Sequence, residues 1–404
     1  MNNKASEKQN KTVEKRDPEQ KRDRKITLRR AALILLCVVL LLILIKLMFP
    51  KVLDADRAVR FFRYMGLRDK ESYGHVSFDA NSSNAYAGFD GGIMVGSESG
   101  VTLLNMEGEQ KALIQGALPA PVVRSGNEIA LCFSPGSSFY TVIGKGGKTL
   151  IEKAVSGSFL DAAVSEDGFL CCLTSESGYK AVATVMNQKQ ETVFKFSSRT
   201  HYLNTCAISE GGSRLAVSTL GETQSIYHSG ITILRTDEAI TDLDAESSSA
   251  VKVDLGNEIV YHLEFLDKTH LCAIGQKNVT FLNVEGKILK TFSVTDQTLS
   301  DYAVGKGFLM LCLKMDGSGS RYRVLTLDTD GDVIGERVLN EKIRSVSAAG
   351  SYTAVLTDLR LEILDKRLAS YESMELSRTA VQVIVREDGT ALCVSTNSAE
   401  LFIP

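Results

Sequence analysis

A self-similar unit of about forty residues recurs from residue 75 to the C-terminus, and it restricts the fold more than any other feature of this sequence. Two kinds of hairpin alternate along it. The first joins two apolar strands through a short polar turn, most clearly in Ala162–Leu173 (AAVSEDGFLCCL), Thr205–Val217 (TCAISEGGSRLAV) and Val383–Val394 (VIVREDGTALCV). Weaker copies occupy Val122–Phe133, His262–Ile274, Tyr302–Leu313 and Val346–Leu356. The Asp-Gly and Gly-Gly pairs supply the positive φ values that tight hairpins demand. The second kind runs strand, turn, strand in Val101–Glu109, Val279–Leu289, Val324–Ile334 and Leu361–Leu368.

One hairpin of each kind per cycle makes four strands. Cycles begin near residues 85, 121, 159, 202, 259, 299, 343 and 380. That spacing is the length of a four-stranded, WD40-like propeller blade, so the fold class is all-β, a β-propeller of eight blades with seven as the alternative count. A two-sheet sandwich would rarely give so many four-strand cycles. The last cycle has only three strands before Pro404. His75–Asp79, just ahead of the first blade, is the expected fourth, which would close the ring and remove an exposed edge.

Ahead of the repeat, Ala31–Phe49 (AALILLCVVLLLILIKLMF) opens with fifteen apolar residues and has a single charge, Lys46, near its end. At 1.5 Å per residue it would span roughly 28 Å, the hydrocarbon thickness of a bilayer. No small-x-small cleavage site follows it, so an uncleaved transmembrane helix over 29–49 is expected rather than a signal peptide. Residues 1–30 carry eleven Lys/Arg against five Asp/Glu. The positive-inside rule then puts the N-terminus in the cytoplasm and everything after residue 50 outside. Residues 1–28 read as a disordered basic tail able to lie on anionic lipid. A short amphipathic helix is expected over Leu53–Met65 within a linker of residues 50–73, either docked on the propeller or lying at the membrane interface.

The formal net charge of −3 conceals that basic tail, so the body from residue 74 to 404 is acidic and nucleic-acid binding is disfavoured. Of eight cysteines, Cys37 lies in the apolar segment. Cys132, Cys171, Cys172, Cys272, Cys312 and Cys393 fall in the strand after the first hairpin turn and Cys206 in the strand before it. Equivalent places in successive blades, without CxxC spacing, suit buried small apolar residues better than disulfides or reactive thiols. The five histidines form no HxH or HExxH pattern. Asp328-x-Asp330-Gly331-Asp332 resembles half a calcium loop, but Glu336 comes too early to complete one, and the segment matches the turn of the other blades. No GxSxG elbow or phosphate loop occurs. Catalytic residues, metal ligands and cofactor-binding residues are therefore not assigned.

Two segments exceed the blade template, both in the fourth cycle. Leu220–Gly230 contains Tyr227 and His228 and is expected as a loop between the second and third strands. Arg235–Ala250 contains Asp237, Glu238, Asp242, Asp244 and Glu246 and extends the connection between third and fourth. Surplus loop length is where binding tends to sit, and these two should emerge on opposite faces.

The apolar strand, Asn/Asp-x-x-Gly turn, apolar strand signature resembles quinoprotein-type and other bacterial propellers. With the basic tail and single anchor, the chain is similar to membrane-anchored propeller families of unknown function in Gram-positive bacteria such as the Clostridia. The quinone-binding members use tryptophan docking motifs, which a chain without Trp lacks. The expectation is a non-catalytic bacterial cell-surface scaffold, bound to membrane lipid through its N-terminal helix and to an envelope protein or polymer through the propeller. The alternative is a small-ligand sensor or enzyme using the central channel.

Overall fold

The computed structural model describes residues 55–67, 73–223, 226–237, 250–315, 317, 319–376 and 380–404. The chain divides into two compact units, 1–65 and 66–404. Of the first, the structure describes a helix over Ala55–Tyr64, on which Val59, Phe61 and Phe62 are exposed. No helix among the described residues is long and apolar enough to cross a membrane. The expected span over 29–49 and the basic tail lie outside the described residues.

The second unit consists of eight four-stranded antiparallel sheets. Inner strands begin at Ala85, Val122, Ser158, Tyr202, Val260, Gln297, Ile343 and Gln382, within three residues of every start read from the repeat. The eighth sheet is completed from the other end of the chain. His75–Ser77 pairs with Ser398–Phe402 in the register His75↔Glu400, Val76↔Ala399, Ser77↔Ser398. Val76 is fully buried, so the first strand and the last are locked by packing as well as by the ladder.

The core is not one mass but eight wedges, one in each gap between neighbouring blades. Ile93, Val95 and Met106 of blade 1 meet Val76, Leu392 and Val394 of blade 8, and Leu173 and Phe196 of blade 3 meet Leu203 and Leu215 of blade 4. Middle strands face a wedge on each side and so read as unbroken apolar runs, as in Ile129–Phe133 and Leu170–Leu173. Outer strands alternate, as in Gln110–Gln115, because one of their faces meets solvent. All seven cysteines of the propeller are buried and free. Cys171 packs toward blade 4 and its neighbour Cys172 toward blade 2.

The Asn/Asp-x-x-Gly signature is a side-chain turn. The Oδ1 atom of Asn105 accepts hydrogen bonds from Glu107 N (3.1 Å) and Glu109 N (2.8 Å). Asn187, Asp328 and Asp365 bind their own i+2 and i+4 amides in the same way. The residue three places on takes a positive φ: Gly108, Gly286 and Gly331, but also Gln190 (65°) and Leu368 (60°). Asp328 is thereby occupied with backbone, as the turn reading of that segment requires.

Inner strands are stitched to one another by side chains. Ser125 Oγ donates to Gly88 O (3.0 Å). Asp161 Oδ2 accepts from Thr205 Oγ1 (2.6 Å) and Cys206 N (3.3 Å). Asn204 Nδ2 donates to Val260 O (2.6 Å), and Asp301 Oδ2 accepts from Val346 N (2.8 Å). These polar links join blades 1 and 2, 3 and 4, 4 and 5, and 6 and 7.

Candidate functional site: two faces and an axial channel

Strand direction defines two faces. The upper face carries the second-to-third-strand turns and the crossings between blades; the lower face carries the inner-to-second and third-to-outer turns. The chain enters at the lower face, where Gly74 N donates to Met106 O in the third-to-outer turn of blade 1 (2.8 Å).

On the upper face, blades 3 to 5 expose aromatic and cationic side chains. Leu220–Gly230 is not the loop expected from sequence. Arg214–Thr223 and Ile226–Arg235 are ten-residue strands paired as far as Thr223↔Ile226, so the surplus residues lengthen a hairpin. Tyr227 and His228 stand exposed near its tip. At its base Tyr202 is 58% exposed, with Lys180 Nζ 4.2 Å from its ring centroid. Tyr261 and Ile259 of blade 5 are also exposed. The Arg199 guanidinium lies 5.1 Å from the Tyr179 ring centroid.

Asp237 lies at the opposite face, in a two-bond pair with Arg235 (Nη2–Oδ2 2.8 Å, Nε–Oδ1 3.1 Å). The seven residues singled out from the two long segments are therefore not one site. Tyr227 and His228 belong to the upper face and Asp237 to the lower, while Glu238, Asp242, Asp244 and Glu246 lie outside the described residues.

The channel holds groups that motif searching passed over. Arg124 of blade 2 comes within 3.9 Å of Asp161 of blade 3. His262 of blade 5 is 3.1 Å from Glu264, and its ring lies tilted at 37° against that of Tyr302 of blade 6, at a centroid distance of 5.3 Å. Burial pushes the Tyr302 phenol up to about 12, opposed by Arg124 and reinforced by Glu264 and Asp161. Three other blades thus bring charge to bear on one tyrosine of blade 6.

At the lower mouth the inner turns of blades 3, 4 and 8 present Glu166, Glu210 and Glu387 at the same place in the hairpin. Glu166 is exposed, yet the concave mouth strips enough water from its carboxyl that desolvation is the largest influence raising its pKa; the charges of Glu387, Glu264 and Glu210 add to it. The signal was present in the sequence, since Ser-Glu-Asp-Gly, Ser-Glu-Gly-Gly and Arg-Glu-Asp-Gly put an acid at one repeat position. Beside these acids a cavity of about 540 Å³ opens between blades 2, 3 and 4. Among the described residues no group of three His, Cys, Asp or Glu side chains could hold a metal ion.

A model of a family of unknown function, DUF5711, matches residues 66–400. The chain belongs to that family. No curated protein matches it in sequence. Among solved structures, the C-terminal WD40 domain of Sif2 has a TM-score of 0.56 at 12% identity, covering 81% of this chain and 97% of that one. The Neurospora crassa Pan2 WD40 domain has a TM-score of 0.45 at 10% identity, covering 83% and 97%. The likeness to the Sif2 domain is one of fold, which for this DUF5711 member is the eight-bladed propeller itself.

Proposed function

We propose that this DUF5711 chain is a non-catalytic interaction scaffold, tethered to the cell membrane by its N-terminal segment, that binds an envelope protein through the upper face of blades 3 to 5. One observation carries the reading: Tyr202, Tyr227, Tyr261 and Ile259 are exposed together on that face, next to the cations Lys180 and Arg199. Tyrosine and arginine are the residues that anchor protein interfaces, because they bury large area and still satisfy polar groups. The fifteen-residue apolar run with eleven basic residues before it supports a single span with the propeller outside.

The experiment is photo-crosslinking on intact cells, with the probe amino acid in place of Tyr227. The expected result is one dominant crosslinked envelope protein, lost when Tyr202→Ala and Tyr261→Ala are combined. No product above background, or a product indifferent to both substitutions, would overturn the reading. Protease added to intact cells should remove the propeller and spare the tail.

A further inference from the structure

We propose that the lower-face cavity between blades 2, 3 and 4 binds a small zwitterion, a free amino acid or short peptide bearing both an ammonium and a carboxylate group. This site lies on the opposite face from the proposed partner surface and does not depend on it.

Inner turns lie near the axis and third-to-outer turns farther out, so a cavity lined by both has an axial wall and a peripheral wall. Its axial wall carries Glu166 and Glu210, and its peripheral wall carries Lys145 and Lys148. Ile129 and Leu150 give it an apolar part. Two of the charged groups already have duties: Lys145 Nζ is 2.7 Å from Glu128 Oε1, and Glu210 is only 3.9 Å from Lys268 at the rim. Glu166 is instead subject to the like charges of Glu387, Glu264 and Glu210, which add to the desolvation that raises its pKa.

The cavity is therefore polarised, negative toward the axis and positive toward the rim. A ligand of one sign would satisfy one wall and be repelled by the other. A zwitterion satisfies both: its ammonium relieves the crowding of like charge around Glu166, and its carboxylate takes the Lys148 ammonium. A volume of about 540 Å³ is in the range of small-molecule pockets, with room for a dipeptide. An organic ammonium fits better than a metal ion, because no suitable group of three ligating side chains exists among the described residues.

The experiment is isothermal titration of the full chain in detergent with free amino acids and dipeptides, each beside its N-acetylated and C-amidated form. The expected result is binding of the unmodified probes, weakened about tenfold or more by blocking either end and by Glu166→Gln or Lys148→Ala alone. Both residues are exposed, and an unshifted or raised Tm establishes that each variant is folded. Tyr202→Ala on the other face should leave the affinity unchanged. No binding of any probe at millimolar concentration would overturn the proposal. So would equal binding of the C-amidated forms, which would describe an amine site, or binding indifferent to both substitutions.

Discussion

Glu166 shows how a residue tolerable in one blade becomes strained when the ring closes. Folding raises its pKa, so the folded state favours its protonated form. The stability linked to that form is fully present in acid and is lost as pH rises through the folded value. Ionised Glu166 therefore opposes folding at neutrality, and Glu166→Gln should raise Tm near neutral pH with the difference vanishing in acid. Thermal denaturation at the two pH values checks this; a lower Tm at neutrality would contradict it. Gln190 bears a different strain, a φ of 65° where the equivalent turns of blades 1, 5 and 6 use glycine. Gln190→Gly should stabilise by about 1 kcal/mol in denaturant melts. The cysteines carry a third expectation. Burial pushes Cys132, Cys312 and Cys393 up to about 12 and raises Cys272 further; all seven propeller thiols are buried out of reach of reagent and should resist alkylation until the protein unfolds. Peptide mapping that found any of them rapidly labelled in the native state would contradict this.

At the scale of strands and turns, blades depend on pairs that reach across the gap between them. Arg337, on the outer strand of blade 6, meets Glu362 on the third strand of blade 7 at 2.8 Å, and the Glu362 side chain is 7% exposed. Arg337→Ala would leave that carboxylate buried without its partner and should cost about 3 kcal/mol. Arg337→Ala combined with Glu362→Leu should recover most of the loss in the same denaturation assay. Elements were legible in this sequence wherever a local rule produced them. Asn105, Asn187, Asn283, Asp328 and Asp365 announce their turns because the side chain and its amides are neighbours in the chain. The inner strands announce their starts because apolar runs and Gly turns bracket them. Leu220–Gly230 misled because surplus length reads as loop until pairing is seen, and a long hairpin needs no tertiary partner to continue its ladder. The channel was illegible for the opposite reason. Arg124, Asp161, His262 and Tyr302 are separated in sequence by up to 178 positions, and only ring closure makes them neighbours.

For the molecule as a whole, the ring sets what each residue can do. It turns a weak repeat of acids into a crowded mouth, a pair of lysines into the far wall of a cavity, and three tyrosines from two blades into one face. All of that depends on closure by His75–Ser77. His75 and Glu400 are exposed partners in the closing pair, flanked by the Leu401 N to Gly74 O bond of 2.7 Å. That makes them a non-hydrogen-bonded pair with Cα atoms about 4.5 Å apart, where a cross-strand disulfide fits. The direct test is His75→Cys with Glu400→Cys, oxidised and mapped by mass spectrometry. An intramolecular 75–400 disulfide that raises Tm is the expected result. Bonds only between chains, or no bond between these positions, would contradict the closed ring.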